Sequence, residues 1–459
     1  MARKILLFMC GVIALLAVVC AVFPRKGIDI GFATLRMPSL EKILFGRSPD
    51  TFSADSLMLD SIVDSLVVDS LPADSGDILR MYCMVDSMWS FGDGSDFSFP
   101  DGDRHFFDEL FSTMRGAAAS GRYVRVLHYG DSQIEMDRMT VRLRRYFQRL
   151  YGGGGPGLQP FHPIIPTAAV SHYCGDTLVH LASFGDSTVV RSRGNYGPMA
   201  QCFRIDGGSS ASFSTKKTYG GKISRVAVLY NNRMGTLTAR LSPAQASDNL
   251  SNHGSVCCHE WRLDSAVTNV RVSLSGSGDA YGVMLDGKPG VAVDNIPMRG
   301  CSGQQFVQID SALLSAAYAQ MDVALIILQF GGNSVPYTNS ESAIRSYCYS
   351  IGRQIDRVHQ CCPHAKILFI GPSDMSTRLD GEMQSYPCLE TMIEMLRRTA
   401  NSHGAAFWSI YHAMGGHNSM VSWVKEGLAG PDYIHFSPKG ANIMGDRLTD
   451  AFEKVRIDK

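Results

Sequence analysis

The sequence predicts an α/β protein: a parallel sheet covered on both faces by helices, interrupted by an inserted β-sandwich and preceded by an N-terminal transmembrane helix. Three observations carry that expectation. Apolar runs of strand length alternate with helical stripes at 103–150 and again after 322. Between them, 166–292 holds short alternating or apolar runs separated by Gly, Ser and Asn, with no long helical stripe. Finally, 5–23 is an apolar run without a charge.

From the N-terminus, the apolar run spans about 28 Å at ~1.5 Å per residue, enough to cross a bilayer core. Arg3 and Lys4 precede it, and Pro24, Arg25 and Lys26 follow. An uncleaved anchor is the favoured reading, because the run is longer than a signal-peptide core. The competing reading is a signal cut after Val19-Cys20-Ala21; a lipoprotein is a poorer fit, since Val19 stands where a small residue is expected. Basic residues on both flanks leave orientation open, and large domains translocate despite flanking charge, so the body is placed outside the cytoplasm. In 48–77, Asp-Ser recurs every four or five residues with Leu, Ile, Val or Met between. That composition suits an acidic solvated stalk, with a weak amphipathic helix as the alternative.

The body begins with a helical stripe at 103–118 (Phe106, Phe107, Leu110, Phe111, Met114), a strand at 123–129 and a second helix at 134–150, ended by Gly152 to Gly157. After 300, strands are expected at 322–330, 365–371 and 405–410, and helices at 339–359, 388–402 and 438–455. The organisation is therefore a membrane segment at 1–24, a stalk at 25–100, an α/β domain split between 101–165 and 291–459, and the β-rich insert at 166–290. Lys and Arg number 43, as do Asp and Glu, and this balance argues against a generic polyanion binder, since nucleic-acid domains usually show a basic excess. Twelve Cys in 459 residues are too few for a disulfide scaffold; the adjacent pairs Cys257-Cys258 and Cys361-Cys362 read as packed thiols or separate disulfide partners. No cluster has metal-ligand spacing, and neither metal nor cofactor is expected.

In open parallel sheets the reactive groups sit on loops at the carboxyl ends of strands. Three loops meet that criterion. Gly130-Asp131-Ser132 follows the first strand and opens a helix, where a hydroxyl nucleophile sits beside backbone N–H groups. A second Gly-Asp-Ser, at 185–187, lies in the β-rich insert, lacks a following helix and reads as a turn. Serine needs an adjacent base. His435 supplies one, and Asp432, three residues earlier, orients the imidazole. His128 and His412 are flanked by apolar residues and read as structural. An oxyanion hole is expected from the Ser132 N–H, the Asn333 side-chain amide in Gly331-Gly332-Asn333, and the Gly300 N–H, with Gly303 a nearby competitor.

These pieces, in this order, resemble the SGNH (GDSL) hydrolase family. Ser132 matches the serine of its block I, Gly300 the glycine of block II, Asn333 the asparagine of block III, and His435 the histidine of block V, with Asp432 as partner. Ser334 departs from the family, which commonly has an acidic residue there, and Ile134 excludes the Gly-x-Ser-x-Gly elbow. The resemblance covers 101–165 and 291–459 and implies a three-layer, flavodoxin-like α/β/α domain. With the insert, the chain looks like bacterial peptidoglycan O-acetylesterases, in which a carbohydrate-binding-module-like β-sandwich interrupts that domain. The resemblance implies a membrane-tethered, periplasmic serine esterase acting on an acetylated glycan, or a secreted one if the N-terminal segment is removed. Two alternatives use the same residues. One is an O-acetyltransferase fed by a membrane-bound O-acyltransferase partner; the other is a glycan-binding protein without catalysis.

Overall fold

The structure, a computed structural model, describes residues 96–456 apart from 175–178, 186–188, 193, 217–218, 220, 233–234 and 252–255, together with an antiparallel pair, Ile28–Asp29 with Thr34–Leu35. The expected membrane helix at 5–23 and the Asp-Ser stalk at 48–77 lie outside the described residues, as does most of the second Gly-Asp-Ser. No helix among the described residues is long and apolar enough to cross a membrane.

The body opens with α1 (Asp108–Ala117), β1 (Tyr123–Gly130) and α2 (Thr140–Tyr151). Helix α2 begins six residues later than its apolar stripe suggests. Met136, Asp137 and Met139 adopt φ values of 58°, 57° and 50°, through which no α-helix runs. Asp137 holds that turn. Its buried carboxylate accepts the Thr167 hydroxyl, the N–H groups of Ala168 (3.0 Å) and Ala169 (3.1 Å), and Arg144 Nη2 (3.0 Å).

Nine strands follow: β2 (Gly157–Gln159), β3 (Val170–Cys174), β4 (Val179–Ala182), β5 (Gln201–Thr215), β6 (Ile223–Asn231), β7 (Thr238–Ser242), β8 (Ala246–Asn249), β9 (Cys257–Val267) and β10 (Asn269–Asp286). All pair antiparallel within one sheet, where the sequence suggested a two-sheet sandwich. The reason is the length of β10. Its first half pairs with β5 and β7, and its second half with β6 and β2, across a register shift at Ala280/Gly282. The pairing of β2 with β10 also brings residues before 166 into this sheet.

The chain then returns through β11 (Gly290–Pro297), α3 (Ser311–Ala319), β12 (Val323–Gln329), α4 (Glu341–Cys361), β13 (Lys366–Gly371), the hairpin β14–β15 (Ser376–Leu379, Glu382–Ser385), α5 (Leu389–Ser402), β16 (Ala406–Ser409), α6 (Ser419–Lys425) and α7 (Pro438–Val455). Strand β11, helix α3 and the hairpin have no counterpart among the expected elements, since each is short and none shows a long periodic stripe. Five strands form an all-parallel sheet in the order β11-β1-β12-β13-β16.

Strand alternation splits this sheet's side chains between two cores. Leu127, Tyr129, Ile326, Leu328, Ile367 and Phe369 pack beneath α3, α4 and α5. Val124, Val126, Leu325, Ile327, Leu368 and Ile370 pack beneath α1, α2 and α7. The result is three α/β/α layers. The antiparallel sheet has its own core, including Phe213, Val226, Val228, Val272, Val283 and Leu285. Its alternate residues Ala227, Leu229, Tyr281 and Met284 face the first core of the parallel unit.

Candidate active site

The carboxyl end of β1 leads into Asp131-Ser132. Asp131 caps the following turn, its Oδ1 accepting the Gln133 N–H at 2.9 Å. Next door, β12 ends at Gln329 and delivers Asn333 on a short 3-10 turn, Gly332–Tyr337. The loop before α7 brings Asp432 and His435 to the same rim.

Ser132 Oγ lies 2.7 Å from His435 Nε2, although 303 positions separate them. His435 Nδ1 lies 2.8 Å from Asp432 Oδ2. The other carboxylate oxygen of Asp432 accepts the N–H groups of Ile434 (3.0 Å) and His435 (3.1 Å), closing the loop on itself. Burial raises the Asp432 pKa, but the hydrogen bonds from His435 and Ile434 outweigh it and hold the carboxyl below its ordinary value. An imidazole that donates Nδ1–H to this carboxylate presents Nε2 as the acceptor for the hydroxyl proton.

Asn333 Nδ2 donates to Cys301 O at 3.1 Å and to Asp131 Oδ2 at 3.3 Å. In this state the amide is held by protein acceptors, and donation to a substrate oxygen requires that one of these bonds be shared or exchanged. Gly300 and Gly303 differ in kind. A Cβ on Gly303 would meet the Phe330 ring at 2.8 Å, so that glycine serves packing. A Cβ on Gly300 would meet nothing within 4 Å; only its φ of +76° favours glycine, and the space around it is open.

Several residues at this rim carried no recognisable signal in the sequence. Gln133, next to Ser132, bonds the histidine loop through both ends of its amide. Glu135 and Arg299 form a two-pronged ion pair (2.7 and 2.6 Å) between the Ser132 turn and the Gly300 loop. Arg138 Nη1 donates to Ser132 O at 3.2 Å. Asp131 is buried beside the imidazole; burial pushes its carboxyl up to about 6, opposed by the Gln133 N–H and the charge of His435. His128 and His412 lie away from this centre. His128 is enclosed between Gln329 and Thr140, and His412 pairs with the helix-capping Ser409. No group of three or more His, Cys, Asp or Glu suited to a metal ion occurs among the described residues, and no disulfide joins any two of the nine described cysteines.

Residues 264–443 match the GDSL-like Lipase/Acylhydrolase family. The chain carries a GDSL-like acylhydrolase domain. The match supports an ester-bond hydrolase. The matched span contains Gly300, Asn333, Asp432 and His435 and leaves Ser132 outside it, although β1, which leads to Ser132, pairs with β11 and β12 in the same parallel sheet. A solved peptidoglycan O-acetylesterase is similar over 78% of this chain and 98% of its own, at 23% identity and a TM-score of 0.64. That is a likeness of fold, and it extends over both sheets. A family two carbohydrate esterase from Cellvibrio japonicus matches 62% of this chain and 98% of its own, at 13% identity and a TM-score of 0.25, too weak a likeness to carry a conclusion. No curated protein sequence matches the GDSL-like chain.

Proposed function

We propose that the protein is a serine esterase that removes O-acetyl groups from a cell-envelope polysaccharide such as peptidoglycan. One observation carries the reading: a hydroxyl, an imidazole and a carboxylate in series at 2.7 and 2.8 Å, at the carboxyl rim of a parallel sheet. The fold shared with a peptidoglycan O-acetylesterase suggests the substrate class. The apolar run at 5–23 suggests a tether that holds the body at the envelope.

In this mechanism Ser132 Oγ attacks the acetyl carbonyl while His435 Nε2 takes the hydroxyl proton. Asp432 stabilises the imidazolium so formed. The developing oxyanion is met by the N–H groups of Ser132 and Gly300, and by Asn333 Nδ2 in exchange for one of its present acceptors. Collapse breaks the bond to the sugar oxygen, which receives the proton from His435 and leaves as a free hydroxyl. Water, deprotonated by His435, then attacks the acetyl-Ser132 ester. The second collapse frees acetate and returns the proton to Oγ.

The test is acetate release by the full-length protein from an aryl acetate and from O-acetylated peptidoglycan. Ser132→Ala is expected to lower kcat by at least ~10³-fold. Equal turnover by that variant would end the serine mechanism.

A further inference from the structure

We infer that Gln133 is a positioning residue that sets the distance between nucleophile and base by gripping the peptide units on either side of His435. The inference rests on the esterase reading and assigns that site a component outside its triad and oxyanion donors.

Gln133 is buried, and its side chain spans two loops. Nε2 donates to Ile434 O at 2.6 Å, and Oε1 accepts the Phe436 N–H at 3.3 Å. These two groups bracket His435 in the chain. Nε2 also lies 3.4 Å from Ser373 Oγ, on the loop after β13. The residue's own N–H is held by Asp131 Oδ1. The hydroxyl of residue 132 and the amide of residue 133 therefore hold three consecutive residues of the histidine loop. Backbone bonds already tie the loop elsewhere, from Gly430 N–H to His435 O (2.7 Å) and from Ser376 N–H to Tyr433 O (3.2 Å), but the Gln133 amide is what ties both peptide units flanking His435 to the segment that carries Ser132. A displacement of ~1 Å at such a contact costs about 10²-fold in rate, so an amide that prevents it acts on kcat and leaves acyl-group binding alone. Its three side-chain connections also explain why glutamine suits the position. Leucine or methionine fills the volume but leaves a carbonyl and an N–H without partners, and glutamate presents an acceptor to Ile434 O.

Two variants of the full-length protein test this. Gln133→Met is expected to lower kcat for an aryl acetate by roughly 10²-fold with KM changed less than ~3-fold, and to slow sulfonylation of Ser132 by phenylmethylsulfonyl fluoride in parallel. In Gln133→Glu the carboxyl replaces the amide only when protonated, its O–H donating to Ile434 O and its carbonyl accepting from Phe436 N–H. The ratio of its kcat to that of wild type should therefore rise as pH falls from 8 to 5. The titratable groups that face this position, Asp131, Glu135, Asp432 and His435, are present in both proteins. A wild-type rate in a folded Gln133→Met protein would overturn the inference while leaving the esterase intact. If that variant does not fold, a flat or falling Gln133→Glu ratio overturns it. Absence of both turnover and Ser132 labelling in wild type removes the esterase reading and, with it, this inference.

Discussion

The two sheets of this protein are built on opposite rules. The parallel sheet is sealed on both faces, so β1 and β12 are apolar almost throughout, with every residue from Val124 to Gly130 buried. The antiparallel sheet is buried on both faces only along β6 and the second half of β10, and its other strands leave one side wet. In β9, Trp261 is buried beside exposed Glu260 and Arg262, and Tyr173 in β3 is 70% exposed. Ser132, Asn333, Asp432 and His435 lie on loops at the rim of the first sheet, because parallel strands send their following loops to one rim, whereas antiparallel strands alternate their ends. A sealed sheet gives a rigid rim; a half-open sheet gives surface.

What joins the two regions is polar and buried. Arg125 in β1 reaches Asp294 in β11 (2.7 Å) and Asp286 at the end of β10 (2.5 Å), with all three side chains almost wholly buried. Arg225 in β6 shares Asp286 at 2.6 Å, and Asp294 also accepts the Leu158 N–H at 2.7 Å. Alongside runs a seam of glycine backbone. A Cβ on Gly153 would lie 2.2 Å from Val291 O, and one on Gly155 2.4 Å from Leu285 O. The glycine run after α2 thus stops the helix and also lets the two sheets touch.

Arg125→Met breaks this joint and should have the largest effect on stability. It takes the cation from buried Asp294 and leaves buried Asp286 to Arg225, so a loss of about 3–5 kcal/mol is expected, read from urea unfolding. An unchanged midpoint would mean that the joint is not what couples the sheets. Next is Asn333→Ala on the sealed sheet's rim, expected to cost about 10²–10³-fold in kcat with little change in unfolding midpoint. A large stability loss with normal kcat would instead make Asn333 a bracket between Cys301 and Asp131.

Acid sharpens the contrast further. Burial pushes His128 on the sealed sheet, and His172 and His180 on the open one, down to about 4. Each stays neutral in the folded protein while the unfolded chain takes up a proton, so the stability contributed is present above about pH 6.5 and is lost as pH falls toward 4. His128→Gln should flatten that decline by roughly 2 kcal/mol, and more than His180→Gln, whose ring is less enclosed; the check is the unfolding midpoint between pH 7 and 4. The smallest effect is expected from Tyr173→Ala, which should leave aryl acetate hydrolysis unchanged within about twofold, since the Tyr173 side chain is exposed on the antiparallel sheet. A marked kcat loss there would show that the open sheet contributes to the chemistry.

Much of the sealed region was legible in the sequence. The runs at 322–330 and 365–371 announce β12 and β13, and Ser437 with Pro438 marks the start of α7 to the residue. The second region was less so, because short alternating runs do not say which strands pair; β10, serving two sets of neighbours, turned an expected sandwich into one sheet. The turn at 132–137 was hidden because Asp137 is satisfied by residues some thirty positions away. Gln133 and Arg125 were silent, since a glutamine beside a serine or an arginine in a strand acquires meaning only from its partners.

By itself the sequence determined where strands and helices lie and which residue types end them, along with the serine, asparagine, aspartate and histidine that were candidates for chemistry. These are local properties, written in periods of two and 3.6 residues and in capping side chains. Only the tertiary structure decided that Ser132 meets His435 across 303 positions, that Gly303 packs while Gly300 stands open, and that Gln133 holds the two loops in register. Such distances are set by the closing of a sheet and by buried polar groups finding partners, and no local pattern in the chain records either.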